Sequence, residues 1–414
     1  MIDYQGKQWY NNSTNEGIGM YMKKEKLESK KLAEDLVEVL KQNNVKITNL
    51  RLISLGNSIA SGYSMVRSTK PLLLRNESLE EVLKEENINF ERHHFARAQN
   101  NNDEHIFGWL VSNIKESEIH RMNRSDYSGS ASSMITRGLT KEQIEEYYPL
   151  DMEKDFGLDD LIKDRRLNIA NIVIYNGCTG SFLDAATRNG NLTQQLMAGV
   201  NRDTTSFEAV LKYIQEQNRQ YNSNTQVYVC GAPNFLGLRV SELINNKIKK
   251  ISKNYANVSY VEPVKSKFFY KPLESEELTE ETELTKLQQF FKKHERQVDI
   301  HYDEEEYVKF NNNIMKTIKE NYLINNSLIN IDREMYKLNS TLEIESPEFI
   351  AANEVVQEVV ADIFTKEIAK MPSPSLANQL TQRAGKYLTS RSPYDYFYIG
   401  KKRINNSIQK VKTK

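Results

Sequence analysis

The stretch Arg51–Ser64, RLISLGNSIASGYS, decides how the chain is read. Leu52, Ile53 and Leu55 make an apolar run short enough for one buried strand, and Gly56 breaks it. Asn57-Ser58 stand at the break, and Ser61-Gly62 follow where a helix should begin. In a parallel sheet, functional groups gather at the C-terminal strand ends, next to helix N-termini with free backbone N–H groups. Ser58 at such a turn has the exposure and the nearby donors that a serine nucleophile requires. The same residues also read as an ordinary helix N-cap, and this stretch alone leaves both readings open.

Further strands follow the same logic. Ile88–Phe95 (INFERHHF) alternates, and Ile169–Tyr175 (IANIVIY) is a continuous apolar run that ends in Asn176-Gly177. Gln226–Cys230 (QVYVC) and Val258–Val261 (VSYV) complete five strands. Helical patterns precede or separate them. Lys23–Gln42 carries a stripe of Leu27, Leu32, Leu36, Val39 and Leu40, and Ser78–Glu86, Ile106–Ile119, Thr140–Tyr148, Ser206–Tyr221 and Val240–Tyr255 also read as helix. Strands alternating with helices predict an α/β fold: a three-layer αβα arrangement around a flavodoxin-like five-stranded parallel sheet. Lys271–Glu283 is Glu-rich and reads as a solvated loop or the start of a surface helix. Val298–Asp303 (VDIHYD) reads as a break before a long helix, Glu304–Asn321. Beyond it, Ser346-Pro347-Glu348 opens a helix to about Lys370, Pro372 and Pro374 end it, and Ser375–Thr389 forms another. The expected organisation is an N-terminal segment with an amphipathic helix (1–47), an α/β domain (48–325) and a mostly helical C-terminal extension (326–414) that packs on the core or mediates homo-oligomerisation.

Composition narrows the function classes. The 414 residues include 27% charged residues that balance to a formal net charge of zero, which argues against nucleic acid as a partner. Two cysteines, Cys178 and Cys230, give no disulfide framework. The N-terminus has no apolar signal core, and no run approaches membrane-spanning length, so a cytoplasmic protein with no integral membrane segment is expected. His93-His94 and His105 lack companion ligand spacings for a metal. No phosphate-binding or dinucleotide glycine loop is present, so neither metal nor cofactor is expected.

Four short stretches fall after strands or before the last core helix: Gly56–Ser58, Ser128–Ser130, Asn176-Gly177 and Asp299–Asp303. In this order they resemble the blocks of the SGNH (GDSL-like) hydrolase superfamily, across roughly residues 48 to 325. GNSIASGY has the shape of the first block, with Asn57 in place of the usual aspartate. Ser128-Gly129 stand for the second. Asn176 stands for the third, without the usual flanking glycine and aspartate. Asp299 and His301 stand for the last, spaced D-x-H instead of D-x-x-H. The resemblance implies a serine esterase or deacylase in which Ser58 is the nucleophile and His301 the base. Asp299 orients the imidazole. The oxyanion hole comprises the Ser58 and Gly129 backbone N–H groups and the Asn176 carboxamide. On extended backbone the D-x-H side chains point to one side, so Asp303 or a backbone carbonyl is an alternative orienting group. The implied substrate is a small-molecule, glycan or lipid acyl ester. An acyltransferase using the same residues, and a non-catalytic binding module on the same scaffold, are the alternatives.

Overall fold

The computed structural model describes residues 12–56, 77–94, 158–176, 207–208, 210–233, 238–264, 269–272, 296–299, 302, 304–341 and 354–390. Its centre is a five-stranded, all-parallel sheet. The strands are β1 (Asn49–Gly56), β2 (Asn89–His94), β3 (Ile169–Asn176), β4 (Gln226–Cys230) and β5 (Val258–Val261). Their spatial order is β2-β1-β3-β4-β5, the flavodoxin-like order. The chain turns back across the sheet between β1 and β3, which makes that pair the topological switch point. The expected fold class is therefore the observed one.

Both faces of the sheet are covered, and this explains why the strands read as continuous apolar runs. Strict alternation divides them into two cores. Leu50, Leu52, Ile172, Ile174 and Tyr228 face one side, where they pack with α1 (Asn12–Lys41), α2 (Glu77–Glu85) and the long α6 (Glu304–Thr341). Ile53, Leu55, Val173, Tyr175, Val227 and Val229 face the other. They meet α3 (Leu158–Ile162), α4 (residues 210–221) and α5 (Leu238–Ser252).

Within α1 the buried stripe is Ala33, Leu36, Val37 and Leu40, spaced for one helical face. Leu27, expected in that stripe, is 72% exposed. The helix is pinned to α6 by a Ser29 hydroxyl donating to Asn312 Oδ1 at 2.9 Å and by a Lys319–Asp35 ion pair.

Two expectations need correction. Residues Phe269–Pro272 and Arg296–Asp299 form an antiparallel pair, β6 and β7, so Lys271 and Pro272, expected in a solvated stretch, and Val298 and Asp299, expected in a break, are strand residues. The helix expected to end at Asn321 runs on to Thr341, 38 residues in all, or about 57 Å at 1.5 Å per residue. The cause is tertiary. Asn325, a poor helix former on its own, is fully buried, and its amide donates to Gln226 Oε1 at 3.2 Å and Ser259 Oγ at 3.1 Å. Gln226 in turn donates to the Tyr322 carbonyl at 3.0 Å and Asn326 Oδ1 at 2.8 Å. These bonds hold the helix on β4 and β5 where propensity would have let it end.

Past α6 come α7 (Glu354–Ala369) and α8 (Pro374–Ser390). Pro374 opens α8 at the first helical position, and the Ser373 hydroxyl accepts from the Leu376 N–H at 3.3 Å as an N-cap. Val360 and Phe364 of α7 and Leu380, Ala384 and Tyr387 of α8 close a third core on Ile324, Leu328, Ile331 and Met335 of α6. The helical C-terminal part thus packs on the sheet domain. Among the described residues no helix is long and apolar enough to cross a membrane.

Candidate functional site at the ends of strands β1 and β3

The C-terminal ends of β1 and β3 lie side by side, with Gly56 opposite Asn176. This is the switch-point crevice where open parallel sheets place their ligands. Gly56 is required there for two separate reasons. Its φ is +132°, a region that L side chains avoid. A Cβ on it would also lie 1.8 Å from the Asn176 carbonyl oxygen. The chain at the crevice therefore runs backbone against backbone, and the next residues after Gly56 are Asn57 and Ser58.

Asn176 itself is 1% exposed, yet neither its carboxamide oxygen nor its nitrogen has a hydrogen-bond partner. Leaving such a group unpaired costs about 1–3 kcal/mol per donor or acceptor. Buried side-chain amides in folded proteins are nearly always satisfied, so an orphan of this kind calls for a reason. By alternation its side chain lies on the face of Ile172 and Ile174, the face that α6 covers.

Tyr302, two residues before α6, lies at the same sheet edge. Tyr302 is fully buried with Cys230 and Val261, the last residues of β4 and β5. Its ring packs edge-on against Tyr307 at 5.4 Å and tilted against Phe310 at 5.2 Å. Burial pushes its phenol well above the usual range. Tyr302 is thus fixed at the strand ends, between β7, whose last residue is Asp299, and α6 in the chain.

Of the residues expected in the site, Asn176 is described in full, and the backbone of Asp299 is placed as the end of β7, opposite Phe269. Ser58, Gly129 and His301 lie outside the described residues, as do Asp303, Cys178 and His105. Cys230 is a buried free thiol whose pKa burial raises far above the ordinary value, so it is a packing residue. His93 sits beside Glu91 at 3.7 Å. Among the described residues no group of three or more His, Cys, Asp or Glu is arranged to hold a metal.

Two features escaped the sequence reading. Gly56 breaks the strand and also permits the β1–β3 contact; its place in G-N-S is the signal. Arg51, within an apolar run, heads a buried ion cluster at the N-terminal side of the sheet. It donates to Glu91 Oε2 and to Asp164 Oδ2, both at 2.8 Å. His93, then Arg51 and Asn49, hold the Glu91 carboxyl well below the usual range in spite of burial. Asp164 also binds Arg166.

No family model matches the chain, and no curated protein matches it.

Proposed function

We propose that the protein is an SGNH-type serine hydrolase that cleaves acyl esters at the β1–β3 crevice. The observation that carries this reading is the buried, unpartnered carboxamide of Asn176, held opposite Gly56 at the switch point. A side chain that neither stabilises the fold nor meets solvent is accounted for by a group that arrives during reaction. An acyl carbonyl whose oxygen gains negative charge is such a group. Support also comes from the chain order: Ser58 lies two residues past Gly56, and His301 immediately precedes the buried Tyr302.

In this mechanism Ser58 Oγ attacks the acyl carbonyl while His301 takes the hydroxyl proton. The resulting oxyanion is held by the Asn176 amide N–H and by the backbone N–H groups of Ser58 and Gly129. One such donor is worth about 3 kcal/mol, or 10²–10³ in rate. His301 then protonates the departing alcohol, leaving an acyl-serine. His301 then takes a proton from the water molecule that attacks the acyl-serine and returns it to Ser58 Oγ as the acyl–oxygen bond breaks, which releases the acid and free Ser58. Asp299 stabilises the imidazolium formed in both half-reactions.

The test is hydrolysis of a short-chain aryl ester by the full chain. The expected result is turnover that falls to background in Ser58→Ala and in His301→Ala, with circular dichroism unchanged. Absence of turnover in the folded wild-type protein, or turnover retained in Ser58→Ala, overturns the proposal.

A further inference from the structure

The strands beyond β3 carry another unpartnered polar group. Tyr260 on β5 reaches with its ring across the end of β4, where Gly231 follows the last strand residue, Cys230. A Cβ on Gly231 would overlap the Tyr260 hydroxyl and lie 2.8 Å from Pro263 Cδ, so the missing side chain makes room for the phenol. The backbone beneath it is held firmly. The Gly231 N–H donates to the Val261 carbonyl at 3.0 Å. The Ala232 N–H donates to Asn245 Oδ1 of α5 at 2.7 Å, and the Asn245 amide donates back to the Ala232 carbonyl at 3.0 Å. Ser241 Oγ, also on α5, donates to the Pro233 carbonyl at 2.7 Å.

The Tyr260 hydroxyl is buried and bonds to nothing. Buried phenols that hold the fold are paired: Tyr228 donates to Gln226 Oε1 at 2.8 Å, and Tyr387 donates to Asp332. Tyr175 and Tyr302 are wholly enclosed in the cores, whereas Tyr260 is only partly buried. Burial, then the Glu262 charge, push its phenol well above the usual range, so it stays an O–H donor at neutral pH. Lys249 lies 4.7 Å above its ring and is paired with Glu262 at 2.6 Å, so neither charge is left to draw an ion to the phenol. The complement of such a group is a neutral hydroxyl or ether oxygen.

The strand register places this donor next to the crevice. Tyr175 pairs with Val229, so Asn176 stands level with Cys230 one strand away, about 4.8 Å, and Gly231 is the next residue along. In the proposed mechanism His301 protonates the departing alcohol. His301 is bonded to Tyr302, which is buried with Cys230 and Val261 at the ends of β4 and β5. In that mechanism the alcohol departs on the side of Asn176 where Tyr260 lies.

We propose, resting on that hydrolase reading, that Tyr260 binds the alcohol part of the ester through a hydroxyl or ether oxygen, so that the substrates are acyl esters of polyols and not of plain hydrocarbon alcohols. A site with an unpaired buried donor discriminates against an analogue that cannot fill it.

The probes are 1-acetylglycerol and n-propyl acetate, which share an acyl group and differ by two hydroxyls in the alcohol. Acid release by the full chain gives kcat/KM for each. The expected result is a preference for 1-acetylglycerol that Tyr260→Phe lowers about tenfold. Tyr260→Phe keeps the ring and deletes a hydroxyl that the fold does not use, and a general weakening of the structure would lower both esters together without moving their ratio. A ratio that Tyr260→Phe leaves unchanged, or a wild-type protein that favours n-propyl acetate, overturns this proposal and leaves the hydrolase reading standing. So does failure to hydrolyse either probe by protein that turns over the aryl ester. Absence of aryl-ester turnover overturns the hydrolase reading, and this proposal with it.

Discussion

The two ends of strand β1 treat polar groups in opposite ways. Toward its start, Arg51 is almost wholly buried and fully engaged, spanning Glu91 on β2 and Asp164 beyond α3. At its other end, Gly56 faces Asn176, whose carboxamide is just as buried and bonds to nothing. The difference separates polar groups that hold the fold from one that adds nothing to it. Breaking a buried ion cluster by removing one partner is strongly destabilising. An orphan amide costs stability as it stands, and such a cost is the usual mark of a functional site.

The largest expected effect is at the crevice backbone. Gly56→Ala forces a side chain into a disfavoured φ and against the Asn176 carbonyl. It should cost about 4 kcal/mol or more in chemical denaturation, enough to leave little folded protein. Next is Arg51→Met, which removes the guanidinium shared by two carboxylates and leaves Glu91 with Asn49 and His93 and Asp164 with Arg166. A loss of about 3 kcal/mol is expected, read as a lower denaturation midpoint with unchanged slope. Asn325→Ala removes the donor to Gln226 and Ser259 and should cost about 2 kcal/mol.

The cluster also sets a pH dependence. The Glu91 pKa is lowered on folding from an ordinary 4.5. Its contribution is therefore fully present above that value and is lost as pH falls below it. Denaturation midpoints of the wild type should decline on acidification from pH 5 to 3, and Glu91→Gln should flatten that decline.

The opposite stability effect completes the contrast. Asn176→Leu replaces an unpaired amide with an apolar group of similar size and should raise stability by about 1–3 kcal/mol. Yet it should lower ester turnover by 10²–10³. A large loss of stability in this variant would mean that Asn176 supports the fold after all.

The parts of the fold legible in the sequence were those whose burial is written in one stretch. IANIVIY, QVYVC and VSYV are buried on both faces, and their apolar runs gave strand limits within a residue of those observed. The strands β6 and β7 were not legible, because FYKP and RQVD carry neither a run nor an alternation. The end of α6 was hidden for another reason. The asparagines near Asn325 read locally as breakers, and only Gln226 and Ser259, far along the chain, make them helical. The partners of Arg51 were invisible in the same way, 40 and 113 residues distant. In the site, Asn176 could be singled out from its place after a strand, and its pairing with Gly56 follows from strand order. That its amide lacks partners is a property of packing, which no local pattern encodes.

The most direct measurement is the mapping of a fluorophosphonate adduct on the intact protein by mass spectrometry. The account predicts a single covalent adduct on Ser58, absent from Ser58→Ala and much slower to form in Asn176→Leu. Folded protein that acquires no adduct, or an adduct that persists in Ser58→Ala, would contradict it.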